Sequence, residues 1–210
     1  MVDTKACVRI RFARISLLAA LAAAGCLLLA APRLISQAAQ NQKLQQATDL
    51  IKEILAKDGL YTRSTKSENG QYKSAMERKF EVTAVNGCQL VVSSASHIHT
   101  EMPAQNRVSD RKSTEIFHPD FSALDPAGVI VSDPQPPQPT WEMKGYLVRI
   151  AVEVGKPPMK ASSRIEQTNE EHDLPPLPNL SVYVTSRDQA DRLAKAFAQV
   201  ATACNSTPAH

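Results

Sequence analysis

The chain has little glycine, few aromatic residues and no large excess of charge. Seven glycines in 210 residues leave little room for a loop that cradles phosphate, and no such loop is present. There is no Gly-x-Ser-x-Gly elbow and no His-Glu-x-x-His helix, so the familiar serine-hydrolase and zinc-protease signatures are missing. Aromatic residues make up 5%, and Trp141 is the sole tryptophan. The formal net charge is +3, and it has a local source. Residues 1–38 carry Lys5, Arg9, Arg11, Arg14 and Arg33 against Asp3 alone, which leaves the remainder at −1. A near-neutral chain lacks the basic field that draws proteins to nucleic acid or anionic lipid. An apolar content of 43% excludes a disordered tail and fits one domain with a sizeable core.

Only one stretch is long and apolar. Ile15–Ala31 holds 17 uncharged residues, preceded by four basic ones and followed by Ser36-Gln37-Ala38. A positive start, an apolar middle and a small-residue exit predict a signal peptide over 1–38. The alternative is an uncleaved N-terminal anchor in the inner membrane, since a spanning helix needs about 20 apolar residues. Ala23-Ala24-Gly25-Cys26 loosely resembles a lipoprotein box, but the residues after Cys26 stay apolar. These readings all place the chain from Ala39 outside the cytoplasm, in the periplasm or beyond. Membrane contact is expected only through the uncleaved segment.

Residues 39–60 read as an amphipathic helix. Leu44, Ala47, Leu50, Ile51, Ile54 and Leu55 recur at spacings of three and four, with Gly59 as the stop. Residues 61–210 form the domain proper. Tyr61–Lys79 is polar and reads as a loop or weak edge strand. Phe80–Val85 and Cys88–Val92 flank Asn86-Gly87, the pattern of a hairpin with a type I′ turn. That register sets Val85 opposite Cys88. It places Cys88, Leu90 and Val92 on one face and Phe80, Val82 and Val91 on the other, which predicts a sheet covered on both sides. Ser113–Phe117 and a short buried Val129–Val131 are further strands, with a Leu124-Asp125-Pro126 turn between them. Asp133–Pro139 has four prolines in seven residues and predicts a stiff extended loop.

Gly145–Val154 alternates cleanly, with Tyr146, Val148, Ile150, Val152 and Val154 on one side. Lys156–Asn179 reads as a long Pro-rich loop around Glu170-Glu171-His172-Asp173. Leu180–Thr185 is the last strand. Ser186 then caps a helix, with Gln189 completing a capping box. Ala190, Leu193, Ala194, Phe197, Val200, Ala201 and Cys204 form its apolar stripe. Strands clustered between two terminal helices predict an α+β fold. It has an N-terminal amphipathic helix, a mostly antiparallel sheet of about 5–7 strands, and a C-terminal helix packed on the sheet.

Four places carry candidate chemistry. Cys88 and Cys204 are the two cysteines outside the leader, and both fall on apolar faces. In an exported chain they predict a disulfide, the alternative being two buried thiols. His97 and His99 share a face if their segment is a strand, and two imidazoles are weak candidates for a metal. Two ligands do not close a site, and the plainer reading is a polar strand end. Glu170–Asp173 offers consecutive carboxylates that more simply face water. Pro134, Pro136, Pro137 and Pro139 before Trp141 form either a connector or a ligand for a partner. No catalytic residue and no cofactor are assigned.

Phe80–Leu90 (FEVTAVNGCQL), Leu124–Val131 (LDPAGVIV) and Val182–Cys204 together resemble a loosely defined group of uncharacterised exported bacterial proteins. The shared marks are a Gly-Cys-x-Leu hairpin, a Leu-Asp-Pro turn and a final helix with Ala-x-Arg-x-Ala-Lys-Ala and a terminal Cys. The resemblance spans about half of the chain outside the leader. It implies export and no particular activity. The order of elements is also similar to pleckstrin-homology-like domains, without the basic loop of phosphoinositide binders.

The residues therefore point to an exported, non-enzymatic binding or envelope-associated domain with an unspecified protein or small-molecule partner. Two other readings stay open. One is a metal-dependent or hydrolytic enzyme using His97, His99 and an acidic loop residue. The other is a lipid or membrane-surface binder, which predicts a basic or apolar mouth between the sheet and the N-terminal helix.

Overall fold

The computed structural model describes residues 39–166, 168 and 170–206. The expected signal peptide, anchor and lipoprotein box lie outside the described residues. Residues Met1–Lys43 and Leu44–His210 form two units, and the second holds the fold. Its helix α1 runs to residue 58, the end of a described helical stretch over 39–58. The strands are β1 Leu60–Lys66, β2 Lys73–Asn86, β3 Gln89–Met102, β4 Arg107–His118, β5 Leu124–Ser132, β6 Trp141–Lys144, β7 Tyr146–Val152, β8 Lys160–Ile165, β9 Glu170–Asp173 and β10 Asn179–Val184. Helix α2, Arg187–Asn205, closes the domain. The α+β class and the helix–sheet–helix order are as the sequence predicts.

The strands divide between two antiparallel sheets. One has seven strands in the order β6-β1-β2-β3-β4-β8-β9, the other three in the order β10-β7-β5. The chain changes sheets five times, once between β6 and β7, which a single residue separates. Gly145 makes that corner at φ 121°, a conformation that a side chain would strain. α2 lies against β5, β7 and β10. One continuous core joins Ala47, Ile51, Ile54 and Leu55 of α1, Val148 and Ile150 of β7, Leu180 and Val182 of β10, and Phe197 and Val200 of α2. Tyr183 reaches across to the large sheet, with its ring centroid 4.5 Å from that of Tyr61 and 6.1 Å from that of Phe80.

The β2–β3 hairpin differs from the expected register. Asn86 pairs with Gln89 and Val85 with Leu90, so the two-residue loop is Gly87-Cys88 rather than Asn86-Gly87. Gly87 has φ 58° and Cys88 does not have positive φ, the sign pattern of a type II′ turn. Further along, Thr83 is the extra residue of a bulge between Val82 and Ala84. A bulge inverts the facing of everything beyond it. Val82 therefore pairs with Val92 and Phe80 with Ser94. Phe80, Val82, Leu90 and Val92 all share the buried face, and the expected sheet with two apolar faces becomes a sheet with one.

Polar segments formed more strand than their composition predicts. Tyr61–Lys66 lies in β1, paired on both sides by β2 and β6, so it is not an edge. Ser113–Phe117 belongs to a longer β4. The expected long loop over Lys156–Asn179 contains β8 and β9, with the acidic run as the edge strand. These strands lie on a sheet whose outer face meets water, so they carry little hydrophobic period for the sequence to display.

Other details are corrected by the packing. Val129–Val131 lies in β5, at an edge of the small sheet, and Ile130 is 46% exposed rather than buried. The Asp125 turn is a bulge inside β5, where Asp125 Oδ1 accepts the Ala127 N–H at 2.9 Å. β7 ends at Val152, and Val154 stands in the following turn, fully exposed. Ser186 Oγ accepts the Gln189 N–H at 3.3 Å. Gln189 Oε1 instead accepts from Arg192, so half of the capping box forms. On α2 the buried stripe takes Ala196 where Ala194 is only partly covered.

Candidate functional site

Cys88 and Cys204 form a disulfide, with their Cα atoms 5.8 Å apart. It ties the β2–β3 turn to the last turn of α2. Around it the Phe121 N–H donates to Cys88 O at 2.9 Å and the Leu90 N–H to Pro119 O at 3.2 Å. The hairpin end is thus held covalently and by backbone hydrogen bonds.

The outer face of the seven-stranded sheet gathers most of the residues that the sequence marks. His97 and His99 alternate onto that face from β3. One cross-strand row reads Glu142, Ser64, Ala75, His99, Asp110 across β6, β1, β2, β3 and β4. Asp110 Oδ1 sits 2.9 Å from His97 Nε2 and 2.9 Å from His99 Nδ1. His99 Nε2 lies 3.4 Å from Glu101 Oε1. Hydrogen bonds with Asp110, then Glu101, raise the pKa of His99 above the ordinary histidine value, against an opposing effect of burial. The bonds with His99 and then His97 lower that of Asp110.

Ala75 forms the low point of this row, and a cavity opens on either side of it. The larger, about 450 Å³, is walled by Trp141, Pro137, Pro139, Lys66, Lys73 and Glu101. The smaller, about 340 Å³, is walled by Thr62, Glu77, His97 and Lys144. Both share Ser64, Ala75, His99 and Glu142. The proline segment is held here by the chain itself. The Lys66 N–H donates to Thr140 O at 2.8 Å, and Gln138 and Trp141 exchange backbone bonds. His99, the proline loop and the single tryptophan, which are far apart in sequence, line one cavity at the β6 edge of the sheet, and the pairing of Trp141 with Thr65 sets Trp141 on the other face from His99.

Other marked residues stay away from it. Glu170–Asp173 lies at the β9 edge, separated from β3 by β4 and β8. His172 there faces Glu170 at 3.6 Å. The acid that joins the histidines is Asp110, which the sequence did not single out. Its signal was the parity shared by positions 108–116 once Ser113–Phe117 is extended backward as strand. Among the described residues, no group of three or more His, Cys, Asp or Glu side chains is arranged to hold a metal ion.

A third cavity, about 480 Å³, lies at the far end of the large sheet beside the disulfide. Leu90, Leu124 and Met159 line it, with His118 and Lys160 at its polar side. None of the three cavities takes a wall from α1, where the lipid-binding reading expects a mouth.

The fold and site together define a disulfide-stapled α+β domain with a polar, concave sheet face. No family model, curated protein or solved structure matches the chain.

Proposed function

We propose that the protein is an exported, non-enzymatic binding domain whose ligand seats in the cavity at the β6 edge of the large sheet, lined by Trp141 and His99. The observation that carries this reading is the convergence of Trp141, Pro137, Pro139 and His99 around one cavity of about 450 Å³. That volume falls within the roughly 300–1,000 Å³ of small-ligand pockets. An indole beside hydroxyl, lysine and carboxylate groups suits a polar ligand with one flat face. Export is supported by the signal-type leader and by the Cys88–Cys204 bridge, since such bridges persist in oxidising compartments.

His99 weighs against the enzymatic reading. A general base needs a nitrogen free to accept a proton. Both ring nitrogens of His99 face carboxylates, an arrangement that favours the imidazolium.

Because Trp141 is the sole tryptophan, its fluorescence reports on the proposed site alone. Soluble envelope fractions added to the protein should shift its emission saturably, and Ala75→Arg should abolish the shift. A shift unchanged by Ala75→Arg would overturn the site. Cell fractionation tests export: protein found in the cytosol with free Cys88 and Cys204 thiols would overturn that part.

A further inference from the structure

The cavity at the β6 edge is built on two neighbouring cross-strand rows of the outer face. One row runs from Glu142 through Ser64 and Ala75 to His99. The next runs from Lys66 through Lys73 to Glu101. Thr140 continues the second row on the β6 side, where its carbonyl accepts the Lys66 N–H. Both rows line the cavity, and Pro137, Gln138 and Pro139 add a side wall. This lining is open to water. Lys66, Lys73, Ser64, Ala75 and the three residues of the wall are exposed, and Glu101 keeps 43% of its side-chain surface.

The charges of the second row are unbalanced. Lys66 and Lys73 are direct cross-strand partners, and like charges in that position repel. Lys73 Nζ lies 4.0 Å from Glu101 Oε2, at the limit of an ion pair. Among the described residues Lys66 makes no ion pair. The two acids of the lining are engaged with other groups. Glu101 Oε1 faces His99 Nε2 at 3.4 Å, and Glu142 Oε1 faces Lys144 Nζ at 3.3 Å. The lysine pair is left with positive charge that an anionic ligand would offset.

The remaining groups decide what carries that anion. An ionised carboxylate only accepts hydrogen bonds. Glu101 and Glu142 already face nitrogen groups, so their spare lone pairs suit neutral donors such as hydroxyls better than a second ammonium. The Ser64 and Thr140 hydroxyls and the Gln138 amide can each donate or accept. Pro137 and Pro139 have no backbone N–H and offer C–H surface. A ring that bears a carboxylate and several hydroxyls answers all three demands, with a charge, donors and a C–H face. Resting on the reading of this cavity as the ligand site, we propose that its ligand is an acidic sugar. The carboxylate sits by Lys66 and Lys73, and the ring hydroxyls meet Glu142, Ser64 and Thr140 beside the proline wall. The sugar is either free or one unit of an acidic polysaccharide.

Glucuronate and galacturonate are the probes, titrated by calorimetry into the full chain isolated from its native host. Saturable binding of at least one of them is expected. The matching neutral sugar, the matching amino sugar and acetate should each bind about tenfold more weakly or less. Lys66→Glu should weaken the acidic sugar by about tenfold, and raised salt should weaken it too. Lys112→Glu lies on the same face, opposite His97 and outside the cavity, and should leave the affinity unchanged. Both lysines are exposed, so neither variant should move the melting temperature. A trimer of the bound sugar separates the two sources. Tighter binding of the trimer assigns the ligand to a polysaccharide, and equal or weaker binding assigns it to the free sugar; either supports the proposal. Absent or unsaturable binding of both acids would overturn it. So would equal affinity for the neutral sugar, the amino sugar or acetate, or an affinity indifferent to Lys66→Glu. If envelope fractions then still shift the Trp141 emission and Ala75→Arg still abolishes the shift, the acidic sugar alone is overturned and the cavity stands as the site.

Discussion

His99 and Asp110 are direct cross-strand partners, and a single oxygen of Asp110 serves both His99 and His97. Asp110→Asn should therefore bring the pKa of His99 down toward the ordinary value, read by following its imidazole signals through a pH titration. The linkage runs in two directions. His99 has a raised pKa, so its contribution is present below the ordinary histidine pKa and fades as pH rises through the raised value. Asp110 has a lowered pKa, so its contribution is present above the ordinary carboxylate pKa and fades as pH falls through the lowered value. The full pairing thus spans mildly acidic pH and fails on both sides. An unmoved His99 titration in Asp110→Asn would show that the hydrogen bonds do not form in solution.

The disulfide closes a loop of 116 positions. Chain entropy assigns loops of that length about 4–5 kcal/mol. Paired Cys88→Ser and Cys204→Ser should lower stability toward that figure in denaturant melts under non-reducing conditions. Native protein digested without reductant should yield one peptide pair joined through Cys88 and Cys204. Two free thiols in that digest would contradict the bridge.

What the sequence made legible follows where water ends. α2 has apolar residues at a helical period because one side meets the core, and that stripe is found nearly intact. β7 alternates for the same reason, with Val148 and Ile150 buried and Arg149 exposed. β1, β8 and β9 lack that contrast, so β8 and β9 read as loop and β1 as a loop or weak edge strand, and the first half of β4 gives no signal of its own. The bulge at Thr83 is hidden for a different reason. It inserts one residue without a special residue type, and a single insertion exchanges the two faces of a strand. Cys88 and Cys204 were legible through their apolar neighbours, although the turn around Cys88 was placed one residue early. The candidate site was legible in parts. His97, His99, Trp141 and the prolines were visible, but their meeting depends on strand order, which no local pattern encodes.

Gly145 makes the β6–β7 passage between the sheets with φ 121°, and a Cβ there would lie 3.0 Å from Leu60 O. Gly145→Ala should cost about 1–3 kcal/mol through backbone strain. The same substitution at Gly155, at φ 88° with nothing within 4 Å of the added Cβ, measures backbone strain without crowding and supplies the comparison. Chemical denaturation of both proteins checks the difference. An unchanged midpoint for Gly145→Ala would show that the corner does not need the left-handed backbone.

The inner face of the large sheet holds a partly buried polar layer beside its apolar part. Arg78 pairs with Glu115 at 3.3 Å, and Ser94, the cross-strand partner of Glu115, lies next to them. Ser94 is 1% exposed, and its hydroxyl has no hydrogen-bond partner in the structure. A buried, unpaired hydroxyl loses its water without replacement, so removing it relieves about 1 kcal/mol or more. The missing oxygen leaves only a small void, which works in the opposite direction. The desolvation term is the larger, so Ser94→Ala should raise the melting temperature by roughly 2–4 °C. Glu115→Ala should do the reverse, because it strands the Arg78 guanidinium without its carboxylate. Replacing both members, as Arg78→Met with Glu115→Leu, should recover most of that loss. Calorimetric scans of the four proteins decide the matter, and a lower melting temperature for Ser94→Ala would mean that its hydroxyl is satisfied in solution.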